Sequence, residues 1–173
     1  MQLVAPSTKY FPSFKKSMLE WAGAHQDGSG IRDGDVLQDR DGFGHWVEQL
    51  LAEEATPAGP GFVTCTYFWM VEEDEYLGSI ALRHELNDFL LAFGGHIGYS
   101  VRPTARGHGL AAQALSAVLP AARDRGIRDV LLTCDARNPA SRRTIERNGG
   151  RYESDVEYEG DTLQRFWITT DRD

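Results

Sequence analysis

Residues 97–112 read IGYSVRPTARGHGLAA. An apolar strand ends just before Pro103, an Arg-Gly-His-Gly turn follows, and a helix of small residues begins directly after the turn. Gly107 and Gly109 carry no Cβ atom, so an anion can approach the backbone closely. The first N–H groups of a helix have no intrahelical partners and lie at the positive end of its dipole. The stretch therefore predicts a strand, a phosphate-binding turn and a helix in immediate succession.

Residues 130–150 form a second block, VLLTCDARNPASRRTIERNGG. Its first residues are apolar and β-branched or leucine, which is typical of a buried strand. Asn138 followed by Pro139 is a typical helix start, because an asparagine side chain caps the first turn and proline fits its first position. Asn148 and Gly149 mark the end of that helix. The block therefore predicts a buried strand, a short loop and a capped helix.

Together the two blocks resemble the GNAT family of N-acetyltransferases over residues 94–152. The letters R-G-H-G-L-A fit the family's R-x-x-G-x-A loop, which binds the pyrophosphate of acyl-CoA, and V-R-P precedes the loop as in the family. The second block is similar to the family's next strand, its Asn-x-x-Ser/Ala helix start and its closing Asn-Gly. The resemblance implies an α/β fold with a central mixed sheet and helices on both faces. It also implies one N-acetyltransferase domain over residues 1–173.

The resemblance implies acetyl-CoA as co-substrate. The implied reaction moves an acetyl group to a primary amine of a small molecule or peptide, by direct attack in a ternary complex. In the family, pantetheine binds beside the strand that precedes the loop. The backbone N–H of Tyr99 is then the expected oxyanion donor, and the backbone of Val101 is the expected pantetheine partner. The remaining expected cofactor-binding residues are Arg106, Gly107, His108, Gly109, Leu110, Ala111, Asn138 and Ser141.

Proton transfer is where this chain departs from the family pattern. Many relatives carry a tyrosine acid seven residues after the asparagine, and this chain has Ile145 there. Ser141, Tyr152 and solvent are the alternative acids. His96 is the candidate base, because an imidazole with a pKa of about 6.5 accepts a proton at neutral pH. The alternative candidate bases are Glu72, Glu73, His84 and Glu85.

The sequence does not determine the direction of the His96 side chain. On a regular strand His96 shares a face with Gly98 and Ser100, whereas Tyr99 belongs to the opposite face. His96 can therefore act as a base on the Tyr99 side of the strand only if a bulge near His96 changes the direction of its side chain. A buried structural histidine is the competing interpretation.

Two further segments are candidates for the wall of an acceptor site. Residues 26–44 form a long loop rich in Gly, Asp and Arg, and loops of more than about 12–15 residues are usually functional or mobile. Residues 83–87, read as RHELN, bring polar groups together just before the central strand. A surface insertion and an ordinary surface turn are the respective alternatives. The sequence does not identify the acceptor amine.

The predicted order of elements is β-α-α-β-β-β-α-β-α-β-β, which is the order of the GNAT fold. Helices are predicted at residues 12–24, 45–54, 110–125 and 138–148, and Pro120 is expected to kink the third. Strands at residues 62–71 and 76–83 form a hairpin with a four-residue acidic loop. Residues 89–101 are predicted as one strand that bends at Gly94 and Gly95. Further strands are predicted at residues 2–5, 130–135, 151–158 and 163–169.

Composition limits the classes of protein to which the chain can belong. A chain of 173 residues with a formal net charge of −8 suits one domain and argues against nonspecific binding to nucleic acid. The sequence has neither an apolar run of about 18–20 residues nor the charge order of a signal peptide, which predicts a cytoplasmic protein without a membrane partner. Cys65 and Cys134 lie in apolar runs and are expected to be reduced core thiols, with no metal site. A homodimer is compatible with the sequence.

Two other functions use the same residues. Gly107 to Ala112 also satisfies G-x-G-x-x-A of a dinucleotide-binding unit, with Asp135 beyond the next strand. In that motif the first glycine directly follows the strand, whereas five residues intervene here, and too few residues follow for the remaining strands. A P-loop is excluded because the turn lacks Gly-Lys-Ser/Thr. A CoA-binding module without transferase activity is the second alternative, since the family's tyrosine is missing.

Overall fold

A computed structural model describes residues 1–170. The helices are α1 (Phe11–Trp21), α2 (Arg40–Ala52), α3 (Leu110–Asp124) and α4 (Pro139–Arg147). The strands are β1 (Gln2–Val4), β2 (Cys65–Glu72), β3 (Glu75–Arg83), β4 (Ile97–Val101), β5 (Asp129–Asp135), β6 (Arg151–Tyr158) and β7 (Asp161–Thr169). This order matches the predicted order and confirms the predicted α/β fold class. Within the same residues, no helix is long and apolar enough to cross a membrane.

The strands form two antiparallel hydrogen-bonded sheets that meet at β4 and β5. The first sheet has the order β1-β2-β3-β4 and the second has the order β5-β7-β6. The central sheet of the prediction is therefore split, because β4 and β5 are not joined by a regular ladder. Helix α3 connects the two sheets and packs against both β3 and β4. The split leaves a gap between β4 and β5.

Each face of the first sheet carries its own core. On one face, α1 and α2 bury an aromatic cluster against β2 and β3 that includes Phe14, Phe43, Trp46, Trp69 and Tyr76. On the other face, Met70, Ile80 and Leu82 pack with the buried face of α3 and with β5 and β7. Side chains of successive strand residues point to opposite faces, so a strand buried on both faces reads as a nearly continuous apolar run. Helices on both faces were predicted, and the structure confirms them.

Two local predictions are wrong. The β2–β3 turn has two residues and not four, because Glu73 adopts a left-handed φ of 53° and Glu72 pairs with Glu75. Residues 90–94 form one π-helical turn and not the first half of a strand. Gly95 follows at a φ of 65°, where an added Cβ would stand only 2.6 Å from the carbonyl oxygen of Leu131. This close approach to β5 explains why the chain turns there.

One helix begins earlier than predicted, and another contains an internal proline. Helix α2 begins five residues earlier than predicted, because the side chain of Asp39 caps it by accepting a hydrogen bond from Gly42 N–H at 2.9 Å. Helix α3 continues through Pro120 to Asp124. Pro120 is exposed, so water can hydrate the carbonyl group of Ser116 that loses its helical donor.

Candidate active site

The backbone of β4 has a free edge that faces the gap. Arg83 N–H donates to the carbonyl of His96 at 2.8 Å, and Arg102 N–H donates to that of Leu77 at 2.8 Å. In an antiparallel pair the bonded positions alternate, so the even-numbered residues of this strand bond to β3. The odd-numbered residues direct their N–H and C=O groups into the gap, and these are Ile97, Tyr99 and Val101. This orientation fits the expected roles of Tyr99 and Val101.

His96 joins the two sheets at one end of the gap. Its backbone N–H donates to the carbonyl of Leu131 at 2.7 Å, and its Nδ1 accepts a hydrogen bond from Leu131 N–H at 2.9 Å. The side chain is buried, and this burial together with the charge of Arg83 lowers the pKa of His96 to about 4. Nδ1 is the acceptor, so Nε2 carries the proton of the neutral ring. The geometry fits a structural bridge better than a base that gains a proton at neutral pH.

The glycine turn leads directly into α3. Gly107 has a φ of 83° and Gly109 a φ of 75°, in the left-handed region that side chains rarely adopt. A Cβ added to Gly107 would meet no atom within 4 Å, and one added to Gly109 would meet only the end of the Gln113 side chain, at 4.0 Å. No side chain caps α3, so the N–H groups of Leu110 and Ala111 point into open space. The turn is an open cradle for an anion.

Arg106 and His108 flank this cradle and are exposed. Arg106 Nε donates to the carbonyl of Val101 at 3.1 Å, and its guanidinium lies 4.7 Å from the ring centroid of Trp21. His108 Nδ1 lies 3.3 Å from the carbonyl of Ala105. A ligand that pairs with the Val101 carbonyl must therefore displace Arg106, which is then free to meet a phosphate.

Asn138 and Ser141 lie at the start of α4, beside the gap. The Asn138 side chain caps the helix by accepting from Ser141 N–H at 3.0 Å, as the sequence predicts. The hydroxyl groups of Ser141 and Tyr99 are 2.8 Å apart. Burial raises the pKa of Tyr99 to about 12, so this phenol keeps its proton. Sequence reasoning used only the backbone of Tyr99 and missed its side chain, because only the folded chain brings residues 99 and 141 together.

A shallow, open groove lies on the surface between α3 and α4. Its volume is about 470 Å³, and it is lined by Ala112, Gln113, Ser116, Ala117, Arg147 and Asn148. Small side chains on α3 leave the groove open. Ile145 lies on the other side of α4 and is fully buried in the core. The residue at the position of the family's tyrosine therefore has a packing role in this chain.

A second cleft lies under the α1–α2 loop, against β2 and β3. Its volume is about 410 Å³. Beside it, Gly28 packs directly on β4, since a Cβ on Gly28 would stand 2.0 Å from the carbonyl oxygen of Gly98. Arg83 and Asn87 line the cleft as well, whereas His84 and Glu85 do not. The long loop and two residues of the polar run thus line one cleft.

The other candidate acids and bases lie elsewhere. Glu72 and Glu73 are at the far end of the β2–β3 hairpin, about 25 Å along the strands from Arg83. His84 Nε2 lies 2.8 Å from the Thr66 hydroxyl, and burial lowers the pKa of His84. Tyr152 is half exposed and donates to Asp155 at 3.0 Å. The structure places none of these side chains in the gap.

The cleft also contains a polar cluster that sequence reasoning missed. Arg32 binds both carboxylate oxygens of Glu53 at 2.7 Å, and the Tyr67 hydroxyl donates to Glu53 at 2.8 Å. Glu53 follows a helix in a charged stretch, where a solvated carboxylate is the usual expectation. Glu53 is nevertheless buried, because the α1–α2 loop brings Arg32 close enough to pair with its carboxylate.

Comparisons with known proteins agree with this geometry. A family model described as the acetyltransferase (GNAT) domain matches residues 18–151. A ribosomal L7/L12 α-N-protein acetyltransferase, RimL, solved with coenzyme A in a disulfide, is 20% identical with a TM-score of 0.68, over 99% of this chain and 94% of that one. A putative GNAT-family acetyltransferase from Bordetella pertussis is 22% identical with a TM-score of 0.64, over 95% and 93%.

A third solved structure is the microcin C7 self-immunity acetyltransferase MccE, in complex with acetyl-CoA and AMP. It is 13% identical with a TM-score of 0.69, over 96% of this chain and 91% of that one. No functionally curated protein matches the sequence significantly. The family model covers most of the chain and includes the glycine turn, the gap strand β4 and the start of α4. The chain therefore belongs to the GNAT family of acetyltransferases.

Proposed function

We propose that this protein transfers an acetyl group from acetyl-CoA to a primary amine of a small molecule or peptide. One observation carries the proposal. The free edge of β4 and the open N-terminus of α3 form one continuous surface, with Tyr99 and Val101 at one end and Gly107 to Gly109 at the other. A thioester with a long amide-bearing arm and a pyrophosphate fits such a surface from end to end.

The residues present suit acetyl-CoA as a substrate. The N–H groups of residues 107–111 would hold the pyrophosphate, because two glycines leave that space empty and α3 has no side-chain cap. The backbone of Val101 would pair with pantetheine once Arg106 moves away. Asn138 and Ser141 would form the opposite wall. Nucleotide binding of the dinucleotide type is not favoured, because β4 is separated from the turn by residues 102–106.

Acetyl transfer requires a bond from the amine nitrogen to the thioester carbon and loss of the carbon–sulfur bond. In this arrangement Tyr99 N–H stabilises the negative charge on the carbonyl oxygen, since it points into the gap. The amine reaches the carbonyl carbon from the cleft under the α1–α2 loop, past Gly28, whose backbone lies on Gly98. The paired hydroxyls of Tyr99 and Ser141 supply a proton to the leaving thiolate. His96 retains its bridging role, and water accepts the proton released by the amine.

Tyr99→Phe tests the proposed proton donor. We expect kcat to fall by about 10–100-fold, at the lower end of general acid catalysis because a CoA thiolate is a tolerable leaving group. The Kd of CoA should change by less than about threefold, because the ring remains in place. Steady-state kinetics and calorimetric titration with CoA measure the two quantities. Ser141→Ala is the matched control, which removes the hydroxyl that orients Tyr99 and should give a smaller loss of kcat.

Ligand-induced stabilisation tests the proposal itself. Acetyl-CoA or CoA at 100–1,000 times its Kd should stabilise the protein by about 3–4 kcal/mol, read as a rise in Tm. Dephospho-CoA should retain most of the rise, because the cradle binds pyrophosphate, and NAD should produce little. A rise with NAD and none with CoA would contradict the proposal.

The replacement of the family's tyrosine by the core residue Ile145 favours a second candidate, a CoA-binding module without transferase activity. Release of the CoA thiol from acetyl-CoA separates the two functions. A transferase releases thiol faster when an acceptor amine is added. A binding module shows the same rise in Tm with CoA and no release that depends on any amine.

A further inference from the structure

Not every charged side chain in the cleft under the α1–α2 loop has a partner of opposite charge. Arg32 and Glu53 form a bidentate pair, and Tyr67 completes the hydrogen bonds of the carboxylate. Glu53 is 4% exposed, the Arg32 side chain is partly exposed, and the pair is electrically neutral. His25 and Asp27 lie at the exposed rim, 3.1 Å apart. Arg83 is the remaining charged group on the cleft wall.

Arg83 has no carboxylate partner among residues 1–170. Its Nη1 donates to the carbonyls of Gly94 and Gly95, at 2.8 and 3.0 Å. The Nε and Nη2 atoms of this half-buried guanidinium have no hydrogen-bond partner within the described part of the chain. A guanidinium has five N–H donors and suits a carboxylate, which can accept two of them at once. Arg83 is thus fixed in position by two carbonyls and has donors left for an anion.

The position of Arg83 relates it to the reacting atoms. A Cβ on Gly98 would lie 3.5 Å from Arg83 Nη2, with the backbone N and Cα of Gly28 nearer still, at 3.1 and 3.4 Å. The next residue, Tyr99, provides the N–H that would hold the thioester carbonyl. An anion on Nη2 and an amine attacking that carbonyl would therefore be only a few ångströms apart. Such a separation is that of the carboxylate and amine of one α-amino acid.

We propose that the acceptor is a free α-amino acid whose carboxylate is bound by Arg83. This inference rests on the proposed transferase function and specifies its substrate class. The cleft volume of about 410 Å³ accommodates a molecule of this size. Asp27 directly precedes Gly28, the residue that packs on Gly98, and its exposed carboxylate, which contacts His25, lies at the rim where the ammonium group would enter.

Arg83 also favours the reactive form of such a substrate. A free carboxylate raises the pKa of the neighbouring amine, which disfavours the neutral nucleophile. A guanidinium on that carboxylate cancels this effect. The same charge already disfavours a cation nearby, since Arg83 contributes to the lowered pKa of His96. Arg83 would thus both bind the substrate and favour the neutral form of its amine.

Matched pairs of L-amino acids and their L-amino acid amides test the inference, with phenylalanine, methionine and serine as side chains. The amides have the less basic amine, so their intrinsic reactivity is higher at neutral pH. We expect wild-type kcat/KM to be about 10–100-fold higher for the acid of at least one pair. Arg83→Gln should reduce this ratio to about one or less, and Arg83→Lys should retain part of it. The ratio is independent of the fraction of folded enzyme.

Other outcomes overturn the inference and are distinguishable from failure of the proposed function. If the enzyme used the amides, or a tetrapeptide that begins with serine, as well as or better than the free amino acids, it would not recognise an α-carboxylate. An unchanged ratio in Arg83→Gln would assign the recognition to another residue. Acetylation of simple alkylamines but of no amino acid would leave the transferase intact and refute the inference alone. A rise in Tm with CoA but no acetylation of any amine would refute both.

Discussion

Gly109→Val should raise the Kd of CoA by at least about 100-fold, because it combines two effects at the pyrophosphate cradle. The Cβ of valine would project into the open space in front of the first N–H groups of α3, where the phosphate oxygens are expected. The φ of 75° is also unfavourable for a β-branched residue and costs about 1–2 kcal/mol. Calorimetric titration with CoA measures the loss of affinity, and thermal unfolding measures the strain.

Gly126→Val separates these two effects. Gly126 follows the other end of α3, has a φ of 82° and would also place its Cβ in open space. Its backbone strain is therefore matched to that of Gly109, but it lies far from the cradle. We expect a similar fall in Tm and an unchanged Kd of CoA. If Gly109→Val bound CoA as tightly as the Gly126 variant, the pyrophosphate would have to bind at another site.

The parts of the site that follow from local rules could be predicted from the sequence. Gly107 and Gly109 adopt left-handed φ values, and Asn138 caps α4 through its own side chain, as their residue types indicate. The edge of β4 that faces the gap was also expected, from the resemblance to the family. The glycine conformations and the Asn138 cap depend on residues within a few positions along the chain, whereas the edge of β4 was expected only through the family resemblance.

Features that depend on residues distant in sequence could not be predicted. The Tyr99–Ser141 contact joins positions 42 apart, and the Arg32–Glu53 pair requires a loop to cross the sheet. The polar run at residues 83–87 was noted, but only the fold shows that Arg83 and Asn87 line the cleft. The π-helical turn at residues 90–94 has an apolar pattern that resembles a strand, and its close packing on Leu131 decides its form.

His96 connects β4 and β5, and we expect His96→Ala to cost stability more than catalysis. The variant leaves Leu131 N–H without the acceptor that it has in the buried wild-type bridge. Loss of a buried partner and creation of a small cavity should together lower the free energy of unfolding by about 2–3 kcal/mol. The rate of acetyl transfer per folded molecule should change by less than about threefold. Denaturant unfolding and active-site-normalised kinetics measure the two effects.

The pH dependence of stability provides an independent test of the bridge. The pKa of His96 is about 4 in the folded protein and about 6.5 in an unfolded chain. Above pH 6.5 both states are neutral at this residue, so its contribution is fully present. As the pH falls from 6.5 towards 4, the unfolded state binds the proton first, and up to about 3 kcal/mol of stability is lost. His96→Gln should reduce this part of the pH dependence, because glutamine does not titrate.

A catalytic base at position 96 would give the opposite pattern. Both His96→Ala and His96→Gln would then lower kcat/KM for the amine by about 10²–10⁴-fold at unchanged CoA affinity. Deprotonation of the amine itself also gives an acidic limb in the rate profile, so each variant must be compared with one amine of low pKa and one of high pKa. Glutamine can accept the hydrogen bond of Leu131 N–H through its side-chain oxygen, whereas alanine cannot. Recovery of stability in His96→Gln, with near wild-type turnover of both amines, would therefore assign His96 to the bridge and exclude it as the base.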